Sequence, residues 1–249
     1  MKIQSKLYIF LAVILMCLGA TSCKKDTTIM YGNITMGNVT DGILISDQGN
    51  IFNIVESEGN TYEELLKTER AYTLCDILNK TAGGQENEYD VRLNAMVKVL
   101  TKDIVTLEDE KTEDMVKEDP INMVGWWFSG GYLNLYIEFL VKAGSETPHI
   151  INLIQQEALE GYSFRLTHNA NGETLESNPG ETFITAGGYV SFPISKVIKE
   201  NNAKILIERT WYMPYGDETE VIGEYLNYIK GGFEHPTKEA TSKTMAVIR

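Results

Sequence analysis

The alternation of apolar and polar positions predicts a protein built from β-strands. From Leu133 to Val141 every odd position is apolar, and the even positions between them are polar or amphipathic until Leu140. A period of two over this length is typical of a strand with one buried and one solvated face. Two tryptophans and the pair Gly130-Gly131 come just before it, and they predict a tight turn under large aromatic side chains.

The first half of the chain, from Ile34, shows the same pattern in shorter runs. In Tyr89–Leu100 the apolar side chains fall at odd positions, and Thr61–Lys67 reads as a short helix. Further predicted strands are Ile43–Ile45, Ile51–Val55 and Arg70–Leu78. Several short strands with one small helix favour a small barrel of the OB type over residues 34–105.

The second half is separated from the first by an acidic stretch. Residues 106–120 have few apolar side chains to bury, which predicts a solvated linker, with an acidic recognition loop as the alternative. Six strand candidates with turns between them favour a β-sandwich over residues 121–235, and residues 236–249 are expected to form a frayed tail. The candidates are Tyr132–Val141, His149–Ile154, Tyr162–His168, Tyr189–Ile194, Ala203–Tyr212 and Glu220–Ile229. The predicted fold class is therefore all-β, a small OB-type barrel followed by a β-sandwich.

The first 22 residues have the pattern of a bacterial lipoprotein signal peptide. Basic Lys2 and Lys6 precede the apolar run Leu7–Leu18, which is too short to span a membrane, and small residues lead directly into Cys23. This resembles a lipobox, in which the peptide is cleaved before the cysteine and lipid is attached to its sulfur. The alternative is an ordinary secretory signal with a chance cysteine.

Cleavage would leave a tethered and strongly acidic protein. Residues 23–33 would connect the lipid to the first domain, and Lys24 after the cysteine favours sorting to the outer membrane, facing the periplasm or the cell exterior. Removing two lysines from 22 basic residues leaves 20 against 35 acidic ones, so the net charge changes from −13 to −15. Such a charge repels nucleic acid. Cys75 would have no disulfide partner and is interpreted as a small buried side chain.

Candidate chemistry in the sequence is sparse. A metal site shared by His149 and His168 is conceivable, but motifs with tight metal-ligand spacing do not occur, so neither a metal nor a cofactor is expected. Glu138 and Glu208 are the best-placed carboxylates for acid–base chemistry on the predicted sandwich strands. No nucleophile or phosphate-binding motif accompanies them, and we therefore expect no enzyme.

Aromatic side chains are the main candidates for binding. Trp126, Trp127, Tyr132 and Tyr136 would suit a glycan or peptide ligand if they were exposed together. The alternative is that some of them fill the core while the others seal the interface between the two domains.

Several short motifs resemble the NigD-like proteins of Bacteroidetes. In the second half they are Trp126-(x)5-Tyr132-Leu133-Asn134-Leu135, His149-x-Ile151-Asn152-Leu153, Leu166–Asn169 and Tyr189–Phe192. In the first half they are Gly37, the Asp47–Gly49 turn, Arg70 and Tyr89–Arg92. The resemblance implies an N-terminal OB domain and a C-terminal β-sandwich, and it supplies no catalytic residues, because the biochemical role of that family is not established.

Together these features predict a lipid-anchored envelope protein that works by binding a protein, peptide or glycan. A bacteriocin-related role is one form of this hypothesis, suggested by the family's name. The alternative is a carboxylate-based hydrolase of envelope glycans. Two acids about 5–10 Å apart across one cleft would favour the hydrolase, and an exposed strand edge would favour the binding protein.

Overall fold

The computed structural model describes residues 30–212, 219–230 and 244–245. Within these ranges the chain is almost entirely β-structure, which confirms the predicted class, and one short α-helix, α1, spans Thr61–Leu65. The strands are β1 Met30–Thr40, β2 Ile43–Ser46, β3 Ile51–Ser57, β4 Arg70–Lys80, β5 Glu88–Thr101, β6 Asn122–Ser129, β7 Tyr132–Lys142, β8 Ile150–Gln156, β9 Tyr162–Asn169, β10 Phe183–Phe192, β11 Asn202–Tyr212, β12 Thr219–Ile229 and β13 Thr244–Met245. In the described part of the chain, no helix has the length and apolarity needed to cross a bilayer.

Some of the sequence predictions fall outside these ranges. The signal peptide 1–22 and Cys23 lie outside the described residues, and so does the tether up to residue 29. Residues 30–33 of the predicted tether already belong to β1. Most of the predicted frayed tail also lies outside the described residues, and within it Thr244–Met245 form β13 and pair in parallel with Ala186 and Gly187.

Strands β1 to β5 close into a barrel. β1 pairs with β2 and β4, β2 pairs with β3, and β5 joins β4 on one side and β3 on the other. This closed order, with α1 between β3 and β4, is the OB arrangement that the sequence predicted. The barrel core holds Leu44, Phe52, Leu65, Ala71, Cys75, Val91 and Leu93.

Two further sheets form the sandwich. One sheet contains β10, β7 and β6 in that order, and the other contains β12, β11, β9 and β8. Leu133, Leu135, Ile137 and Phe139 are fully buried between them, as the alternation in β7 predicted. The sandwich and barrel also share β5, because its last residues, Val99–Thr101, pair in parallel with Tyr189–Ser191 of β10.

The segment before β7 is a strand in its own right, which the sequence analysis took for the approach to a turn. β6 runs antiparallel to β7, and Gly130 and Gly131 join the two strands with φ of 58° and 84°. Both angles lie in the left-handed region that two-residue hairpins require, so the predicted tight turn is confirmed. A bulge between Met123 and Gly125 shifts the side-chain parity of β6, and this shift hides its alternation in the sequence.

The acidic segment between barrel and sandwich lies along the second sheet. Residues 107–114 are exposed, as expected of a linker, whereas the residues that follow are bonded to β9. The Met115 carbonyl accepts a hydrogen bond from Thr167 Oγ1 at 2.7 Å, and Glu118 forms an ion pair with Arg165 at 2.6 Å. This segment therefore covers the outer face of β9.

A buried arginine connects the two halves of the molecule. Arg70 on β4 is fully buried and donates to both carboxylate oxygens of Asp47, at 2.8 and 2.6 Å. The same guanidinium donates to Asn134 of β7 and to Ser191 of β10, each at 3.0 Å, and lies 4.1 Å from the ring centre of Tyr132. One charged group of the barrel is thus bonded to both long strands of the first sandwich sheet.

Candidate functional site

The four aromatic residues predicted as a binding surface lie in three different places. Trp127 and Tyr136 are buried, with 4% and 7% of their surface exposed. They pack around Tyr189, with ring centres 6.2 and 5.0 Å away, and Tyr72 of the barrel stacks on the same ring at 4.8 Å. Burial raises the pKa of Tyr189. This cluster seals the interface between barrel and sandwich, which is the alternative that the sequence analysis left open.

The other two residues point elsewhere. Tyr132 lies under the Arg70 guanidinium, and Trp126 is half-buried at one side of the sandwich, where its Nε1 donates to Glu224 at 2.9 Å. The structure therefore does not bring the four side chains together on one exposed surface, and binding through them stays a prediction. Of the four, Trp126 lies beside the most exposed apolar strand of the sandwich.

That strand is β12, the last strand of the second sheet. All of its 11 residues pair with β11 without a break, from Asn202 opposite Ile229 to Tyr212 opposite Thr219. On its other side β12 has no strand partner among the described residues. Within the described part of the chain, this edge therefore presents a row of backbone N–H and C=O groups with which no strand pairs.

The outward face of β12 is apolar as well. Val221, Tyr225 and Ile229 are 55%, 62% and 53% exposed, and they lie four residues apart on the same face. Leu206 of β11 lies opposite Tyr225, and the ammonium of Lys204 sits 4.4 Å from the centre of the Tyr225 ring. A groove of about 300 Å³ runs from these side chains to Ala158, Leu159, Tyr162 and Ser163.

Arg209 of β11 and Glu224 of β12 form a polar pair next to this edge. Arg209 is 6% exposed, and its Nη1 lies 3.6 Å from Glu224 Oε2. The other oxygen of the same carboxylate, Oε1, accepts the hydrogen bond from Trp126. The Nε and Nη1 atoms of Arg209 are buried and have no hydrogen-bond partner among the described residues. Burial lowers the pKa of Arg209, and the charge of Glu224 opposes this shift. Glu224 thus links β12 to both β11 and β6.

The surface around β12 is acidic. Glu220 is exposed on the strand itself, Glu208 lies opposite Gly223, and Glu157 and Glu160 line the groove. Lys204 is the basic residue that lines this groove. The edge of β12 therefore presents an apolar strip bordered by carboxylates.

The two sandwich histidines bind each other rather than forming an open site. His168 Nδ1 lies 2.9 Å from the Pro120 carbonyl, so it must donate, and His168 Nε2 then accepts from His149 Nδ1 at 2.8 Å. His149 Nε2 faces Glu173 at 3.6 Å. Burial lowers the pKa of both rings, that of His168 to about 3. Across the described residues, no cluster of three or more metal-ligating His, Cys, Asp or Glu side chains is found.

The two carboxylates considered for acid–base chemistry do not share a cleft. Leu133, Leu135 and Ile137 of β7 face the core, so Glu138 lies on the outer face of the first sheet. Ile205 and Ile207 of β11 face the same core, so Glu208 lies on the outer face of the second sheet. The whole thickness of the sandwich separates them, and this pair cannot flank one glycosidic bond.

The sequence pattern predicts β12 as a strand but does not predict it as an exposed edge. The signal was present: both faces of Glu220–Ile229 carry apolar residues, with Ile222, Leu226 and Tyr228 on one and Val221, Tyr225 and Ile229 on the other. A strand that is apolar on both faces is normally covered on both. Side-chain exposure shows that one face of this strand is open, and the sheet order shows that one edge has no strand partner among the described residues.

Comparison with known proteins identifies the sandwich. Residues 103–225 match the NigD-like C-terminal beta sandwich domain, which confirms the resemblance seen in the sequence. No curated protein matches the chain.

Three solved structures share the overall fold. A NigD-like immunity protein from Bacteroides caccae is 17% identical, with a TM-score of 0.52 over 80% of this chain and 96% of that one. A protein designated a lipoprotein from Bacteroides fragilis is 13% identical, with a TM-score of 0.56 over 79% and 96%. A protein of unknown function from Bacteroides vulgatus is 17% identical, with a TM-score of 0.53 over 79% and 90%. At these identities the likeness establishes the fold.

Proposed function

Because residues 103–225 belong to the NigD-like C-terminal β-sandwich domain family, we propose that this chain is an anchored envelope protein that binds another protein and performs no catalysis. The observation that carries the proposal is the open edge of β12, with Val221, Tyr225 and Ile229 more than half exposed. Burying a large apolar side chain contributes about 1.5–3 kcal/mol. Covering the exposed parts of these three would therefore contribute about 3 kcal/mol to a complex.

The anchor and location are part of the same proposal. The pattern from Lys2 to Cys23 supports lipid attachment at Cys23, and Lys24 supports an outer-membrane position facing the periplasm or the exterior. One structural neighbour is designated a lipoprotein, and another is named an immunity protein. A bacteriocin-related partner would fit this setting.

The anchor is tested by comparing the natural chain with Cys23→Ala in a Bacteroidetes host. We expect the natural chain in the membrane fraction and the variant in the aqueous fraction. Protease treatment of intact cells then separates the two orientations, since a surface protein is lost and a periplasmic one is protected. Equal amounts of both chains in the aqueous fraction would contradict lipid anchoring.

The binding surface is tested by photo-crosslinking in the same cells. A photoreactive phenylalanine derivative replaces Tyr225 in one variant and Val55 in a control, since Val55 of the barrel is 56% exposed, close to the 62% of Tyr225. We expect one discrete protein adduct at position 225, identified by mass spectrometry, and none at position 55. No adduct at 225, or the same adducts at both positions, would refute this surface as the binding site.

A further inference from the structure

The edges of the sheets in this fold are protected, and β12 is the exception among the described residues. The barrel has no free edge because β3 pairs with β5. The edge of β8 is covered by Val105, whose N–H and C=O bond to Leu153 and Gln155. At the edge strand β6, the bulge after Met123 interrupts the ladder. In natural sheets, bulges, lysines, prolines and short lengths prevent unwanted strand pairing.

β12 has none of these four features, and the charge of its inward-pointing Glu224 is already paired with Arg209. It is 11 residues long, it contains neither lysine nor proline, and its register with β11 is continuous. A long, regular and apolar edge is a template for another strand. Resting on the proposed function, we infer that the partner adds an extended segment to β12 and lengthens the second sheet by one strand.

The two faces of β12 specify what this segment carries. The outward face presents Val221, Tyr225 and Ile229, with Gly223 leaving a gap between the first two. Cross-strand neighbours of such a face are apolar, and a large side chain fits beside a glycine on an edge. On the opposite face Glu224 is bonded to Trp126 and paired with Arg209, whereas Glu220 is exposed and would meet a residue of the added strand. Lysine or arginine opposite Glu220 forms an opposite-charge pair.

The segment that pairs with β12 therefore belongs to a partner protein and carries apolar residues at alternate positions and a lysine or arginine opposite Glu220. A second copy of this chain is disfavoured, because each cleaved copy would have a net charge of −15 and would bring its own acidic edge. The strong acidity of the chain also raises the association rate of a basic partner.

The test uses the full chain in non-ionic detergent and a short synthetic peptide that alternates lysine with valine or tyrosine. A second peptide has the same side chains but is N-methylated at every other residue, which removes the N–H donors that a strand needs. We expect saturable binding of the first peptide by fluorescence anisotropy and at least about tenfold weaker binding of the second. Equal binding of both peptides would refute strand addition and leave the crosslinking result at position 225 intact.

A matched pair of variants tests the charge rule. Glu220→Lys changes the edge, and Glu86→Lys makes the same change of net charge at an exposed site on the barrel. We expect Glu220→Lys to weaken the affinity for the peptide about tenfold and Glu86→Lys to have little effect on it. Equal effects of the two variants would overturn the inference. The inference would also be overturned if the peptide did not bind. It would be overturned as well if the chain formed a dimer that Glu220→Lys abolished, because β12 would then pair with a second copy.

Discussion

Removing the guanidinium of Arg70 should cost far more stability than removing an equally well-paired arginine at the surface. Arg70 and Asp47 have 1% and 4% of their side chains exposed, and their closest atoms are 2.6 Å apart. Arg70→Met would leave the Asp47 carboxylate buried without its counter-charge. Breaking a buried ion pair from one side costs about 3–5 kcal/mol. The lost hydrogen bonds to Asn134 and Ser191 act in the same direction.

The control is Arg92→Met in the same barrel. Arg92 lies 2.7 Å from Glu56, but the two side chains are 36% and 54% exposed, so water screens the pair. Such a pair contributes less than about 1 kcal/mol. Equilibrium unfolding in urea, followed by tryptophan fluorescence, measures both variants. We expect the free energy of unfolding to fall at least about 2 kcal/mol further for Arg70→Met.

The double variant Arg70→Met with Asp47→Leu separates the two possible causes. If the unpaired carboxylate is the main cost, the double variant should be more stable than Arg70→Met alone, because it buries no isolated charge. A double variant that is less stable than the single one would show that lost packing dominates. Similar losses of less than about 1 kcal/mol in Arg70→Met and Arg92→Met would refute the reasoning outright.

Three further predictions concern other buried groups. Burial lowers the pKa of His168 to about 3, below the value of about 6.5 in the unfolded chain, so the unfolded state binds the proton first. The stabilising contribution of neutral His168 to the free energy of unfolding is complete above about pH 6.5 and falls by about 1.4 kcal/mol per pH unit as the pH drops towards 5. His168→Asn should make the free energy of unfolding, measured in urea, depend less steeply on pH over this range. Burial raises the pKa of the Cys75 thiol to about 11, so iodoacetamide at neutral pH should label it only in denaturant, as read by mass spectrometry. A Cβ on Gly37 would lie 2.3 Å from the Ile45 carbonyl oxygen, whereas one on Gly125 meets nothing within 4 Å; Gly37→Ala should therefore lower the free energy of unfolding by more than about 2 kcal/mol and Gly125→Ala by less than about 1 in the same assay.

Strands with one solvated face could be predicted from the sequence, because apolar and polar residues alternate along them. Most of β5 is of this kind. In β7 the alternation marks the core face correctly, but the face expected to be solvated is buried against the barrel at Asn134 and Tyr136. The first half of β10 could not be predicted, since Ala186, Gly187 and Gly188 are buried but too small to give a pattern. β6 was hidden by its bulge.

The candidate site was harder to predict than the fold. Trp126 and Trp127 are neighbours in sequence, but successive side chains of a strand point to opposite faces. One therefore faces Glu224 at the side of the sandwich, and the other packs against Tyr189. Consecutive aromatic residues on a β-strand are therefore divided between the two faces of the sheet. The open edge of β12 depends on sheet order, which no local pattern encodes.

The sharing of β5 has a consequence for proteolysis. The exposed residues 107–114 are the natural place for a protease to cut between barrel and sandwich. Such a cut would not separate the fragments, because Val99–Thr101 remain paired with β10 and Arg70 remains bonded to Asn134. A nicked molecule would therefore keep its sandwich attached to its N-terminal half. A partner bound at β12 would then stay at the membrane to which the proposed lipid anchors that half.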